Sequence, residues 1–188
     1  MRVIAGSARS VPLVSIDGLE TRPTTDRIKE TLFNMLQSRI EGSHFLDLFA
    51  GSGQIGIEAL SRGAADCVFV EKAKNSAECI RANLKKTKLE DAATLMTSDV
   101  MSAVSVLGRS GKRFDLIFLD PPYHKGLALD ALSAISRSKI ADGDTLLIVE
   151  AALDEDLSDA ESLGYEIVRV KQYKTNQHLF LRLSSQGM

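Results

Sequence analysis

Short apolar runs recur along this chain at about 44–49, 66–71, 93–98, 114–119 and 144–150, separated by longer mixed segments. Runs of this length with almost no polar face predict strands buried on both sides, as in a parallel sheet, and the mixed segments between them predict covering helices. The first of those helices ends at Arg62, with Gly63 as its C-cap. Upstream, Val3, Ile4, Val11, Leu13, Val14 and Ile16 form short alternating pieces broken by Gly6, Pro12 and Asp17-Gly18, which predicts a small β-hairpin or extended arm. Pro23 forces Arg22 to be extended, and Thr24 or Thr25 then caps a helix whose apolar stripe is Ile28, Leu32, Met35, Leu36 and Ile40. Downstream, residues 154–162 predict one more helix. The alternating stretches Tyr165 to Tyr173 and Gln177 to Leu183, joined by Lys174, Thr175 and Asn176, predict a hairpin that closes the sheet edge.

Strands alternating with helices predict an α/β, doubly wound fold with a mostly parallel seven-stranded sheet, an antiparallel C-terminal hairpin and a small N-terminal β-hairpin and helix. Residues 1–188 are expected to form one domain, with 1–40 as arm and helix and 41–188 as core. In such a sheet the first strand lies beside the fourth, and ligands bind outside the strand C-termini where the winding reverses. The polar signals gather there: Asp47 and the glycines after strand one, Glu71 at the end of strand two, Asp99 after strand three, and Asp120 to Tyr123 after strand four.

Composition narrows the function without naming it. A net charge of −2 argues against a protein that coats nucleic acid nonspecifically, although Lys72 to Lys88 carries six basic residues against Glu78 alone. That cluster is expected to be a solvated face. Arg169, Lys171, Lys174 and Arg182 form a second basic group with no acid among them, while acids concentrate between Asp154 and Glu166. Cys67 and Cys79 have neither metal nor disulfide spacing, and no signal-like or membrane-length apolar run is present, so a soluble cytoplasmic protein without metal is expected.

Phe49-Ala50-Gly51-Ser52-Gly53-Gln54-Ile55-Gly56 predicts a tight strand-to-helix turn where backbone can approach a ligand and amides can meet negative charge. Gly51, Gly53 and Gly56 match the dinucleotide fingerprint, and Glu71 follows at ribose-binding distance in sequence, so a nicotinamide dehydrogenase is one reading. Such an enzyme also needs a catalytic group and a substrate domain. His44, His124 and His178 are scattered, each expected to be a surface or packing residue, with His124 the only one near the crevice.

Asp120-Pro121-Pro122-Tyr123 has no role in hydride transfer but a clear one in transfer to an amine. The prolines end the strand and leave a carboxylate, a carbonyl and an aromatic face at its tip. Two acceptors there could draw an exocyclic amine toward tetrahedral geometry, while the ring holds the base by its face.

Leu46-Asp-Leu-Phe-Ala-Gly-Ser-Gly53, Glu71, Ser98-Asp99 and Asp120-Pro-Pro-Tyr123 resemble the motif series of class I S-adenosylmethionine-dependent amino-methyltransferases, with their Rossmann-like fold. Arg22-Pro-Thr-Thr-Asp-Arg-Ile-Lys-Glu-Thr-Leu-Phe-Asn34 and Gly56-Ile-Glu-Ala-Leu-Ser-Arg-Gly63 narrow the resemblance to the RsmD family, over nearly the whole chain. That resemblance implies an S-adenosylmethionine-dependent enzyme that methylates N2 of a guanine, guanine 966, in 16S ribosomal RNA, with the small ribosomal subunit as partner and a monomeric state. It implies cofactor contacts for Asp47, Phe49, Gly51 and Gly53 at the methionine end, helped by Thr24 and Thr25, for Glu71 at the ribose and for Asp99 at the adenine. Asp120 and Pro121 would receive the target amine, with Pro122 and Tyr123 completing the catalytic motif.

The chain departs from the family at its arm, where Ser7-Ala8-Arg9-Ser10-Val11 keeps one charge, and at Tyr173-Lys174, where a Tyr-Gly turn is usual. Alternatives are a DNA adenine or cytosine amino-methyltransferase, which generally carries an added recognition domain, and a glutamine-side-chain methyltransferase, which would favour Asn in place of Asp120. A noncatalytic RNA-binding ribosome-assembly factor is the alternative outside enzymology.

Overall fold

In the computed structural model, residues 1–15 and 25–184 are described, so the Asp17-Gly18 turn, the Arg22-Pro23 step and Thr24 lie outside the described residues. Helix α1 (Asp26–Ile40) opens on Thr25, whose hydroxyl accepts the Ile28 amide at 3.3 Å. It is followed by β1 (His44–Leu48), α2 (Gln54–Ser61), β2 (Asp66–Glu71), α3 (Lys74–Thr87), β3 (Ala93–Thr97), α4 (Val100–Ser110), β4 (Leu116–Leu119), α5 (Leu127–Ser136) and β5 (Leu146–Ala152). A hairpin of β6 (Tyr165–Gln172) and β7 (Asn176–Leu183) ends the described chain. The sheet order is β3-β2-β1-β4-β5-β7-β6, parallel through β5, with β7 antiparallel to both neighbours. The doubly wound seven-stranded sheet expected from the sequence is therefore present, with β1 beside β4.

Alternation along the strands divides the core between two faces. Leu46, Leu48, Val68, Val70, Ile117 and Leu119 pack with Val104, Leu107, Leu132 and Ile135 of α4 and α5. Phe45, Cys67, Phe69, Leu116 and Phe118 pack with Leu32, Phe33, Ile57 and Ile80 of α1, α2 and α3. Asp47 shares the parity of Phe45, so it is carried onto the α2 face, where an apolar residue would otherwise stand. Helix α2 approaches so closely that a Cβ on Gly56 would lie 2.3 Å from the Phe69 ring and 2.6 Å from Cys67 Sγ.

The described part of the N-terminal arm, residues 1–15, folds back on itself as an extended arm and packs on the helices. Among the described residues its one ladder element is a bridge between Arg2 and Pro12, flanked by backbone bonds from Val3 to Val11 and from Leu13 to Met1, and side chains of α1, α2 and α3 hold it to the core. Glu58, fully buried, accepts the Ile4 and Ala5 amides at 2.8 and 3.0 Å and pairs with Lys29 at 3.3 Å and Arg62 at 2.8 Å. Gly6 rests on the Ser61 carbonyl where no Cβ would fit, and Asn83 exchanges hydrogen bonds with the Val14 backbone.

Two expectations need correction. Residues 154–162 do not form an α-helix; a 3-10 turn spans Ser158–Leu163. Acids crowd this segment, and Leu157 and Ala160 are its buried residues, too few for an α-helical stripe. The hairpin turn comprises Tyr173, Lys174 and Thr175, and Asn176 already belongs to β7.

Candidate active site

The carboxyl ends of β3, β2, β1 and β4 stand side by side, stitched by backbone bonds just beyond the strands. Ser98 donates to the Glu71 carbonyl at 3.1 Å, Ala50 to that of Val70 at 3.0 Å, and Asp120 to that of Leu48 at 3.4 Å. The predicted convergence of Asp99, Glu71, the glycine turn and Asp120 on one end of the sheet is thus present.

The glycine turn is shaped by positive backbone angles at Phe49 (φ 61°), Gly51 (φ 56°) and Gly53 (φ 77°). A left-handed phenylalanine is uncommon and costs about 1–3 kcal/mol, a strain typical of backbone held for a ligand. No atom lies within 4 Å of the position a Cβ would take on Gly51, so the turn presents bare backbone to open space. Asn83 fixes the turn from below through the Ser52 carbonyl at 3.0 Å.

Two carboxylates brace this turn. Glu71 accepts the Gly51 amide at 2.8 Å and the Ala73 amide at 2.7 Å, one on each oxygen, and each oxygen retains a lone pair for a further donor. Asp47, 3% exposed, accepts the Gly56 amide at 2.9 Å. Burial pushes its carboxyl up to about 7, the Gly56 bond opposing and the Glu71 charge adding to the shift. A buried acid of this kind waits for a cation.

Asp99 is exposed and spends Oδ1 on the Ser102 amide at 2.9 Å as the N-cap of α4. That bond holds its carboxyl below the usual range and leaves Oδ2 available. Thr25 has a capping job of its own, and Arg2 pairs with Asp26 beside it at 3.1 Å.

Asp120 reaches the crevice with part of its surface, yet its carboxyl is walled by protein. Burial, then the charges of Glu150 and Asp47, hold it well above the usual carboxylate range. Pro121 is buried and Pro122 exposed, so the second proline shapes the turn and presents no side-chain polar atom. Tyr123 is half-buried, and its hydroxyl donates to Glu150 Oε1 at 3.1 Å. Burial, followed by the Glu150 and Asp120 charges, raises its phenol far above the ordinary value.

Glu150 was not singled out in the sequence, although an acid inside the buried run Leu146–Ala152 was the available signal. It sits directly across β5 and β7 from His178. His178 also corrects an expectation: it is fully buried and linked through Glu150 to Tyr123, whereas His124 is exposed and faces Asp154 at 3.6 Å. The basic residues of α3 lie on its exposed face as expected. Among the described residues no cluster of three or more His, Cys, Asp or Glu is placed to hold a metal ion, and no helix is long and apolar enough to cross a membrane.

A family model described as conserved hypothetical protein 95 matches residues 1–182. A Bacillus subtilis protein named "Putative rRNA methyltransferase YlbH" is 36% identical over 92% of both chains. The Haemophilus influenzae "Ribosomal RNA small subunit methyltransferase D" is 37% identical over 86% of this chain and 84% of its own length. Among solved structures, the Escherichia coli "Putative methyltransferase yhhF" superposes with a TM-score of 0.86 at 31% identity, covering 99% of each chain.

Proposed function

Since the chain belongs to the conserved hypothetical protein 95 family, which it shares with ribosomal RNA small subunit methyltransferase D, we propose that it methylates a guanine N2 in small-subunit ribosomal RNA. Guanine 966 of 16S RNA is the nucleotide we assign to it. The observation that carries this reading is the adjacency of two kinds of socket at one sheet end: a braced glycine turn with buried Asp47 and with Glu71, and, one strand away, Asp120 with the Pro121 carbonyl.

The residues fit S-adenosylmethionine. Asp47 offers a buried acceptor for a cationic end, Gly51 a bare backbone edge, Glu71 two lone pairs for a diol, and Asp99 a free oxygen for an amine. When bound, that cofactor supplies a methyl group on a sulfonium. Asp120 and the Pro121 carbonyl accept the two hydrogens of the target amine and aim its lone pair. As nitrogen bonds carbon, it gains positive charge, which Asp120 stabilises more in the transition state than before it. One N–H proton must then leave, and a carboxylate with a raised pKa is the better base to take it. Tyr123 stacks on the base, worth about 1–3 kcal/mol. A paired base could not reach this crevice, so the guanine is unpaired or flipped.

The test uses methyl-labelled cofactor and small subunits that lack the modification, followed by mapping of the labelled nucleotide. Label on a guanine N2 of the small-subunit RNA is expected. Label on DNA, on protein, or nowhere would remove the proposal.

A further inference from the structure

Tyr123 does not hang free over the crevice. Its hydroxyl ends on Glu150, and Glu150 is itself held by a second layer of residues from β7 and the hairpin turn. Asn176 donates to the same Oε1 at 2.6 Å, and His178 Nε2 meets Oε2 at 3.2 Å. A carboxylate oxygen accepts, so Nε2 carries the hydrogen there, and Nδ1 faces the Tyr173 hydroxyl at 3.2 Å as acceptor. Phe118 and Tyr173 meet the imidazole edge to face at centroid distances of 6.0 and 5.0 Å, closing its ring in. Glu150 and Asn176 are 5% exposed and His178 is fully buried.

A layer this enclosed is expensive to maintain. Each member carries polar atoms that would cost about 1–3 kcal/mol if left without a partner. Apolar residues would pack the joint of β5 and β7 more simply, as they do along the rest of β5. What the polar residues add is direction. They fix the Glu150 oxygens, and thereby the one hydroxyl that reaches them from the crevice.

We infer that Glu150 is a positioning residue: braced by Asn176 and by the His178–Tyr173 pair, it anchors the Tyr123 hydroxyl and so holds that ring as a rigid wall of the base slot. The inference rests on the methyltransferase reading for its consequence in turnover, but the anchor itself is a property of the free protein. A wall that is already in place spares the ordering of an aromatic side chain when the base arrives, and keeps the amine aligned with Asp120. Loss of the anchor therefore lowers the rate of methyl transfer and leaves the cofactor socket, one strand away, unaffected.

The chain has three tyrosines and no tryptophan, so ring-labelled tyrosine gives three NMR signal sets that substitution can assign. The experiment records them in wild type, E150Q and E150A, and measures single-turnover transfer and S-adenosylhomocysteine affinity in these proteins, in Y123F and in E150A/Y123F. In E150A the Tyr123 ring is expected to flip faster and shift, turnover to fall about tenfold, and S-adenosylhomocysteine affinity to stay within about twofold. E150Q retains an acceptor for the hydroxyl and recovers most of that turnover. Y123F, which takes one donor from buried Glu150 while Asn176 still donates to the same oxygen, falls toward the E150A rate, and the double variant falls by less than the two losses combined, because both remove the same anchor bond although E150A also removes a charge that raises Asp120. Y123F at wild-type rate, additive losses in the double variant, or a Tyr123 ring indifferent to E150A would each overturn the inference. Should wild type transfer no label to RNA at all, the functional proposal fails by itself, and the ring signals alone decide for or against the anchor.

Discussion

Replacing Asp47 by Asn removes a buried charge while keeping its shape and its bond to Gly56. The carboxyl is pushed up from 3.8 to about 7, by burial first. An acid whose folded pKa exceeds its unfolded one keeps its proton longer in the folded chain, so stability is greatest at low pH, falls between about pH 4 and pH 7, and is level above that. At about 1.4 kcal/mol per pKa unit the whole penalty is about 4 kcal/mol, of which about 2 to 3 kcal/mol accrues between pH 5 and pH 8. Asp47→Asn carries no such titration, groups that Asp47 does not touch cancel in the comparison, and Asp120, relieved of the Asp47 charge, changes the difference in the same direction. The unfolding free energy of D47N relative to wild type is therefore expected to climb by about 2 to 3 kcal/mol from pH 5 to pH 8, whatever constant offset the new amide introduces. Urea denaturation of the ligand-free proteins at several pH values across that range measures it. Curves that run parallel would falsify the reasoning. The same titration reaches the ligand: if Asp47 meets a cation, wild-type affinity for S-adenosylhomocysteine weakens toward tenfold per pH unit below about 7, and D47N binds weakly throughout.

Three further perturbations separate binding, packing and arm docking. Asp120→Ala is expected to lower turnover by about 10²-fold or more while S-adenosylhomocysteine binds within about twofold of wild type by calorimetry, since Asp120 lies on the substrate side of the crevice; equal losses of both would place it in the cofactor socket instead. Gly56→Ala drives a methyl group into Phe69 and Cys67, and its midpoint in urea should drop by an amount equivalent to about 1–3 kcal/mol. Lys29→Met leaves Glu58 buried with one cation fewer, which should cost about 3 kcal/mol and raise amide exchange at Ile4 and Ala5, whose N–H groups Glu58 binds; unchanged exchange there would show that the arm is held by other contacts.

What could be read from the chain alone was what periodicity and local turns encode. All seven strands and the Gly63 stop follow from runs, alternation and punctuation, and the switch point follows from the strand and helix order, whereas the buried face of α1 keeps Leu32, Leu36 and Ile40 but adds Lys29 and Phe33 in place of half-buried Ile28 and Met35. Asp47, Glu71 and Asp120 could be placed at that point because they lie at or next to the carboxyl ends of β1, β2 and β4. Residues whose role depends on antiparallel pairing were missed. Glu150 meets His178 and Asn176 only once β7 inserts between β5 and β6, and hairpin residues reveal their register but not their neighbour on the far side. The arm's anchor was missed for a related reason: Glu58 reads as an ordinary helical acid, and only the packing of α1 on α2 shows that Lys29, Arg62 and two backbone amides surround it. The acidic segment from Asp154 buries only Leu157 and Ala160, too few apolar positions to hold an α-helix, and it folds as a 3-10 turn over Ser158–Leu163.

The electrostatics of the crevice favour a cationic partner over an anionic one. Asp47, Asp120 and Glu150 lie close enough that the Asp47 and Glu150 charges both raise Asp120, and among the described residues no Lys or Arg contributes to the shift at Asp47 or Asp120. A nicotinamide dinucleotide would bring a pyrophosphate to this glycine turn, beside a buried acid whose ionisation the anion would oppose further. A donor with an ammonium and a sulfonium would do the opposite: it would draw Asp47 into its charged form and relieve the repulsion around Asp120. Such a donor would supply its methyl group as the carbon–sulfur bond breaks, leaving a neutral thioether, and the accepting amine would take up the charge and then shed a proton. With such a donor held by Asp47 and Glu71, Asp120 would stand where positive charge develops on the accepting amine, and its carboxylate would stabilise that charge.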